Sequence, residues 1–100
     1  LANSPDGVIF VSGSDATITG MIALFAHEHV FSGEKTASEL VWWVEPEARG
    51  DGLRLLRTAE EWARGVGATK MVMVAPNDRV AALYDRLGYS KTEVSYQRSL

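Results

Sequence analysis

The sequence predicts one domain of the α/β (α+β) class with a mixed, mostly antiparallel sheet, and three observations support this. Short β-rich runs separated by turn residues fill the chain up to about residue 44. Apolar residues then recur at helical spacing from Leu53 to Val66 and again from Val80 to Leu87. A continuous apolar run lies between these two segments. The predicted order is β-β-β-α-β-α-β, and residues 1–100 are taken as a single domain because no linker or repeat interrupts them.

The first three strands are expected to form an antiparallel meander, because short turns join them. The run Val8–Val11 is rich in β-branched and aromatic residues, and turn residues follow at 12–15. A longer β-rich stretch extends from Thr17 to Phe31 and ends in a turn at 32–35. The third strand is predicted over Glu39–Val44.

The first helix is predicted to follow directly and to present one broad apolar face. Gly65 and Gly67 are expected to end it, since glycine adopts the left-handed cap conformation without strain. Met71–Val74 is a continuous apolar run of the kind that forms a buried strand. The unit over residues 39–74 is therefore predicted to be a right-handed parallel crossover.

The second helix and a final strand complete the predicted order. Asn77 or Asp78 can cap the helix at its N-terminus, and Gly88 is expected to end it. Residues 91–98 alternate loosely between apolar and polar side chains, which predicts a last strand.

Composition excludes several classes of protein. The net charge is −3, whereas general nucleic-acid binding requires a basic surface, so no nucleic-acid partner is expected. The chain contains no cysteine, which excludes disulfides, thiolate metal sites and cysteine nucleophiles. No apolar run approaches the roughly 20 residues of a membrane helix, and no signal peptide is visible. We therefore expect a cytoplasmic protein without a membrane partner.

The segment Arg49-Gly50-Asp51-Gly52 stands directly before the first predicted helix. A helix N-terminus carries unpaired N–H groups and a partial positive charge, so it receives a phosphate readily. Glycines let the main chain approach a ligand closely, but they suit a plain turn between strand and helix equally well. The dinucleotide-binding fingerprint is excluded, because Leu55 occupies its third glycine position.

Two motifs make the chain similar to the GNAT N-acetyltransferase family over about residues 8–98. The first is Val44-Glu45-Pro46 followed by Arg49-Gly50-Asp51-Gly52-Leu53-Arg54, which resembles the family's Arg/Gln-x-x-Gly-x-Gly/Ala at the start of a helix. The second is Asn77 with Tyr84 seven residues later, followed by Leu87-Gly88-Tyr89. The order and spacing of both motifs together carry the resemblance, and the predicted order of elements is GNAT-like.

The resemblance implies acetyl-CoA (CoA) as the cofactor. Backbone N–H groups of residues 49–54 would receive its pyrophosphate, and the edge of the third strand would pair with the pantetheine arm and hold the acetyl carbonyl. Asn77 would contact the pantetheine, and Tyr84 would point at the sulfur. The cofactor-binding residues implied in this way are Trp42, Trp43, Val44, Arg49, Gly50, Asp51, Gly52, Leu53, Arg54, Asn77 and Tyr84.

Two features depart from the family pattern, the residue Arg54 and the short N-terminal part, and the charge of Asp51 also bears on binding. Arg54 stands where the family has Gly or Ala, and its side chain would either pair with phosphate or crowd the cofactor. Asp51 adds a negative charge beside the expected anion, which opposes binding by about a few tenths of a kcal/mol. Few residues precede Val8, whereas family members begin with a strand and two helices that form one wall of the acceptor cleft. We therefore expect a truncated chain, or a wall supplied by another segment or by a neighbouring subunit in a homodimer.

Acetyl transfer to an amine requires a base and stabilisation of the departing thiolate. An alkylamine has a pKa of about 10.4 and is mostly protonated at neutral pH. Glu39 is the first candidate base, with His27, His29 and a water relay as alternatives, although each side chain also suits a solvated strand end. Tyr84 is the candidate partner of the sulfur, although it also suits a helix core. Because a phenol is a weaker acid than a thiol, a hydrogen bond to the thiolate is its expected role.

Trp42 and Trp43 point to opposite faces of their strand, so at least one belongs to the core and the other can flank the acceptor site. No metal site is expected, because His27 and His29 share a face without an evident third ligand. The expected function is N-acetyl transfer from acetyl-CoA to a primary amine of a small molecule, peptide or protein, by direct attack in a ternary complex. The alternative is a catalytically inactive module of the same fold that binds CoA or a protein partner.

Overall fold

A computed structural model describes residues 6–14, 16–28 and 31–100 of the chain, apart from the side chain of Arg49. The described residues form the strands β1 (Gly7–Ser14), β2 (Thr17–Glu28), β3 (Lys35–Val44) and β4 (Lys70–Val72), a 3-10 turn (Pro46–Ala48), and the helices α1 (Arg49–Gly65) and α2 (Asp78–Arg86). The sheet order is β1-β2-β3-β4. No helix of this part of the chain is long and apolar enough to cross a membrane.

The mixed sheet and the meander are confirmed. β1 pairs with β2 and β2 with β3 in antiparallel fashion, while β4 runs parallel to β3 after the α1 crossover. β3 begins at Lys35, earlier than the predicted start at Glu39. β2 ends at Glu28, and the remainder of its predicted range includes residues 29 and 30, which lie outside the described residues.

A β-bulge at Leu40 decides which side chains of β3 share a face. Leu24 pairs with Glu39 and Ala23 pairs with Val41, so Leu40 is an extra residue that has no partner in this register. A bulge reverses the alternation of side chains along the strand. Glu39 and Trp42, three residues apart, therefore lie on the same face of the sheet. The sequence carries no glycine or proline here that would have predicted the bulge.

The core lies between one face of the sheet and α1. Ile22 and Leu24 of β2 are fully buried against the helix, and burying a leucine or isoleucine side chain stabilises a fold by about 1.5–3 kcal/mol. Helical spacing brings the apolar stripe of α1 onto this face. The buried cluster consists of Val8, Ile22, Leu24, Leu55, Leu56 and Ala59.

The opposite face of the sheet is open in the described chain. Register places Met21 beside Trp43 and Phe25 beside Ser38, on the side away from Ile22 and Leu24. Apolar side chains on this face are well exposed: Val11 57%, Phe25 38%, Val41 38% and Trp43 40%. An apolar sheet face normally packs against a second layer, and α1 covers only the other face.

The prediction of a last strand over residues 91–98 is wrong. The described residues 89–100 form neither helix nor strand, and Val94 and Tyr96 of the apolar alternation are 59% and 94% exposed. Because this segment neither buries an apolar face nor joins the sheet, nothing stabilises an extended ladder there. β4 is also shorter and more exposed than predicted for Met71–Val74: it ends at Val72, and Val74 is 60% exposed.

The two helix ends follow the sequence expectation. Gly67 and Gly88 have φ angles of 88° and 91°, the left-handed conformation that glycine adopts without strain. α1 extends to Gly65, and α2 begins after Asn77, whose side-chain oxygen accepts a hydrogen bond from the Val80 backbone N–H at 3.0 Å. Asn77 is therefore the N-cap of α2.

Candidate functional site

The candidate site begins where β3 and β4 separate. The two strands pair from Thr36 with Lys70 to Ser38 with Val72, and their ladder ends there. β3 continues to Val44, so its outer edge over residues 39–44 has no strand partner among the described residues. An exposed strand edge offers a row of main-chain N–H and C=O groups to an extended ligand.

A groove of about 380 Å³ opens at this separation. Ligand pockets commonly span about 300–1,000 Å³, so the groove is large enough for part of a cofactor. One wall is β3, and the other comes from the chain after β4 and from α2. The lining residues are Glu39, Leu40, Val41, Trp42, Trp43, Val44, Val74, Pro76, Val80, Leu83 and Tyr84.

Glu39 and Tyr84 both form hydrogen bonds with the main chain of Val74 in this groove. The Val74 N–H donates to the Glu39 carboxylate over a long N···O distance of 3.4 Å, and the Tyr84 hydroxyl donates to the Val74 carbonyl at 3.1 Å. The Glu39 carboxylate also lies close enough to the Tyr84 hydroxyl for each group to influence the pKa of the other. The two candidate catalytic residues predicted from sequence are therefore brought together, although they lie on different elements.

Burial dominates the electrostatics of this pair. Desolvation raises the pKa of Glu39, while the hydrogen bonds from Val74 and Tyr84 lower it by a smaller amount. The pKa of Tyr84 is raised well above its ordinary value, first by burial and then by the charge and hydrogen bond of Glu39. Tyr84 is consequently a neutral phenol at physiological pH, and a carboxyl with a raised pKa is better matched to accepting a proton than an ordinary Glu.

Trp42 packs against the ring of Tyr84. The two rings are stacked with their centroids 6.0 Å apart, and Trp42 packs on the buried cluster through its other side. Its indole N–H is buried and has no hydrogen-bond partner within the part of the chain that the structure describes. An unpaired buried donor costs about 1–3 kcal/mol, so an acceptor brought by a ligand of the groove would relieve that cost.

The N-terminus of α1 stands at the Val44 end of the groove. Ala48 precedes the helix and gives no side-chain cap, in contrast to Asn77 of α2. A Cβ at Gly50 would meet nothing within 4 Å, so there is open space beside this residue. A Cβ at Gly52 would lie 3.1 Å from Val44 Cγ2, so this glycine serves the close packing of helix on strand.

Asp51 forms an ion pair with Arg54 and accepts a hydrogen bond from the sheet. The Thr19 hydroxyl donates to Asp51 at 3.0 Å, and Arg54 forms an ion pair with Asp51 at 3.2 Å. The Arg54 side chain is 80% exposed and does not line the groove, so it does not crowd that space. Leu53 is half-buried against the core, and Arg49 contributes the first residue of the helix.

Trp43 and His27 lie on the open face of the sheet, as the register places them. His27 Nε2 lies 3.0 Å from the Ser38 hydroxyl, and its ring stacks on Phe25 with centroids 6.0 Å apart. His27 is therefore on the face opposite to Glu39 and Tyr84. His29, the other candidate base, lies outside the described residues.

Known structures share this fold. A Pyrococcus furiosus protein that is named as an acetyl transferase by inference superposes with a TM-score of 0.83 at 26% identity. The match covers 95% of this chain and 66% of that one. A Trypanosoma brucei acetyltransferase gives 0.82 at 21% identity, over 96% and 70%. Glucosamine-6-phosphate N-acetyltransferase from Arabidopsis thaliana gives 0.82 at 15% identity, over 95% and 67%. The fold is therefore that of acetyltransferases.

The family model for the acetyltransferase (GNAT) family matches residues 1–89. The chain belongs to this family. It spans about two thirds of the length of the first two solved structures it matches, 66% and 70%. No curated protein matches it closely enough to name a substrate.

Proposed function

We propose that the protein is an N-acetyltransferase that moves an acetyl group from acetyl-CoA to a primary amine. The observation that carries this proposal is the convergence of three features on one groove. A strand edge that has no partner in the described part of the chain and the Glu39–Tyr84 pair line the groove, and the N-terminus of α1 packs on Val44 at one end of it. Family membership supplies the reaction class.

The residues around the groove fit the cofactor. The free N–H groups of the first turn of α1, where Gly50 leaves the main chain open, would receive the pyrophosphate. The edge of β3 at residues 42–44 would pair with the pantetheine arm, and Asn77 would offer its amide N–H₂, since its oxygen caps α2. The buried Trp42 N–H is an unused donor that a ligand oxygen would satisfy. When bound, acetyl-CoA supplies an acetyl group activated as a thioester.

Glu39 and Tyr84 would carry the proton transfers. Glu39 is the described carboxylate that lines the groove, and its raised pKa suits a base that takes a proton from the attacking amine. Tyr84 holds its proton firmly, so it is suited to donate a hydrogen bond to the sulfur as negative charge develops there. His27 is less suited to the base role, because it lies on the opposite face of the sheet.

The acceptor would approach from the open face of the sheet, beside Trp43 and Val41. This exposed apolar face would serve as one side of the acceptor cleft, with the other side supplied by a second copy of the chain or by a further segment. The sisomicin complex of an aminoglycoside acetyltransferase, which superposes with a TM-score of 0.79 at 16% identity, shows an amine ligand on the same fold. Aminoglycosides and peptide α-amines are therefore suitable members of an acceptor panel.

Two measurements test the proposal in sequence. Acetyl-CoA at a large excess over its Kd should raise the melting temperature, since a ligand at about 100 times its Kd stabilises the folded state by about 2.7 kcal/mol. NAD⁺ is the matched control, because it carries an adenine nucleotide pyrophosphate but no pantetheine arm. An unchanged melting temperature with acetyl-CoA would refute the cofactor assignment.

Release of free thiol from acetyl-CoA, measured against a panel of primary amines, then separates the two candidate functions. Turnover with any amine, coupled to formation of the acetylated product, supports the enzyme. Binding of acetyl-CoA without turnover on the whole panel favours the alternative, a module that binds CoA or a protein partner without catalysis. Arg54, which stands where the family has Gly or Ala, is the feature that favours this alternative.

A further inference from the structure

Glu39 and Tyr84 line the same groove and are held beside each other by one residue. One main-chain residue, Val74, receives both: its N–H donates to Glu39 and its carbonyl accepts from Tyr84, at 3.4 and 3.1 Å. Both polar groups of that residue are thereby used, and the carboxylate and phenol are held side by side. A base and an acid that serve separate steps have no need of such a contact.

We propose that Glu39 and Tyr84 act as one proton-transfer unit, in which the proton taken from the amine by the carboxylate is the proton that restores the phenol after it has served the sulfur. The inference rests on the proposed function and extends it. Glu39 and Tyr84, which the sequence suggests as separate base and acid, would then act together.

The step balances without any further reactant. A bond forms between the amine nitrogen and the acetyl carbon, and the carbon–sulfur bond breaks with its electron pair left on sulfur. One N–H proton passes to the Glu39 carboxylate, and the Tyr84 phenol gives a proton to the sulfur. The protonated Glu39 passes its proton to the Tyr84 oxygen as that oxygen gives its own proton to the sulfur, so no free phenolate forms and both residues end as they began.

The contact also sets the order of events. The Glu39 charge is one of the causes that raise the Tyr84 pKa, so the phenol is a very weak acid while Glu39 is ionised. Once Glu39 has taken a proton that charge is gone, and the phenol becomes a stronger acid. The titratable groups that face Tyr84 are Glu39 from β3 and Tyr89 from the turn after α2, whose ring lies 5.4 Å away.

The chain offers a matched control pair. Tyr89 donates a hydrogen bond to Glu60 of α1 at 2.7 Å, and burial and Glu60 raise its pKa as well. This second tyrosine–glutamate pair lines a different groove, beside β4. Because Glu60 lies outside the groove of Glu39 and Tyr84, Glu60→Gln should leave kcat within about twofold of wild type.

The test is a double-mutant cycle on kcat with an active amine, using Glu39→Gln, Tyr84→Phe and the double variant. Gln keeps an oxygen for the Val74 N–H, so the fold is preserved while the base is lost. Each single change should lower kcat by about 10²–10⁴-fold, the range of general acid–base catalysis. The double variant should be within about threefold of the worse single variant, because either change breaks the same path. Losses that multiply, or a single variant with unchanged kcat, would overturn the proposal.

A second readout requires no turnover. Phenol ionisation, followed by absorbance near 295 nm with the matching Tyr84→Phe protein subtracted, should occur at lower pH in Glu39→Gln than in wild type. An identical titration would show that the charge of Glu39 does not act on Tyr84 and would refute the unit directly. If the titration shifts but the wild type acetylates no amine, the contact is established while the proposed reaction, and the transfer step with it, is refuted.

Discussion

Gly50→Ala and Gly52→Ala are expected to change stability in different directions, although both glycines lie in the first turn of α1. Neither has a left-handed φ angle, so alanine fits both backbones. At Gly50 the new methyl group would meet nothing within 4 Å. Alanine is better than glycine in a helix by about 0.5–1 kcal/mol, which corresponds to a rise in melting temperature of about 2–8 °C for a domain of this size.

At Gly52 the same gain is opposed by a close contact. The added Cβ would lie 3.1 Å from Val44 Cγ2, inside the ordinary carbon–carbon separation of about 3.5–4.0 Å. Val44 is β-branched and stiff, so the strand must shift, and overpacking of this kind costs about 1–3 kcal/mol. After the helix gain is subtracted, Gly52→Ala should destabilise the protein by about 0–2.5 kcal/mol.

Ligand binding separates the two roles further. If the pyrophosphate lies against the open main chain at Gly50, the stabilised Gly50→Ala protein should bind acetyl-CoA more weakly, by about tenfold or 1.4 kcal/mol. Gly65→Ala is the matched control, because it lies at the far end of the same helix and also has nothing within 4 Å. Thermal melts and calorimetric titration measure both effects. A stabilised Gly50→Ala protein with wild-type affinity would refute the phosphate role of this turn.

Three further predictions concern the groove and its rim. Tyr84→Phe should abolish most turnover while acetyl-CoA affinity, measured by calorimetry, stays within about threefold; unchanged turnover would remove Tyr84 from the mechanism. The raised Glu39 pKa means that the folded state keeps this proton where the unfolded chain has lost it, so this group lowers stability as pH rises above about 4.5 through the folded-state pKa. Glu39→Gln should therefore increase the melting temperature, relative to wild type, more at about pH 8 than at about pH 4; an equal difference at both pH values would contradict the burial argument. Arg54→Ala should weaken acetyl-CoA binding at low salt and have little effect at about 0.5 M salt, because its exposed charge acts through screened electrostatics; a tighter complex would mean that Arg54 obstructs the cofactor.

Much of the fold could be predicted because it depends on periodicity. Helical spacing identified α1 and α2, and the cap at Asn77 and the left-handed turns at Gly67 and Gly88 follow from the local chemistry of those residues. The last strand over 91–98 failed for the opposite reason. Alternation shows only that a segment suits a sheet, whereas a strand also needs a neighbour, and sequence alone does not tell whether one is available.

The chemistry of the candidate site was only partly predictable. The motif pointed to Tyr84, but the contact with Glu39 depends on the main chain of Val74, and no side-chain pattern reports a backbone acceptor. Gly52 is predicted to serve the ligand, and that stays a prediction; the structure adds a second reason for this glycine, its close packing against Val44. A glycine is equally consistent with either cause until the space around it is known.

The bulge at Leu40 connects these findings. In a regular strand, Glu39 would share a face with Val41 and would point away from Tyr84 whenever Trp42 pointed toward it. The extra residue places Glu39 and Trp42 together on the α2 side and leaves Val41 and Trp43 on the open face. Removing Leu40 should therefore move Glu39 relative to the core residues of β3 and separate it from Tyr84. The deletion variant should show Tyr84 ionising at a lower pH, as in Glu39→Gln, and its kcat should be lower. Wild-type titration in a folded deletion variant would show that the bulge does not control the pair.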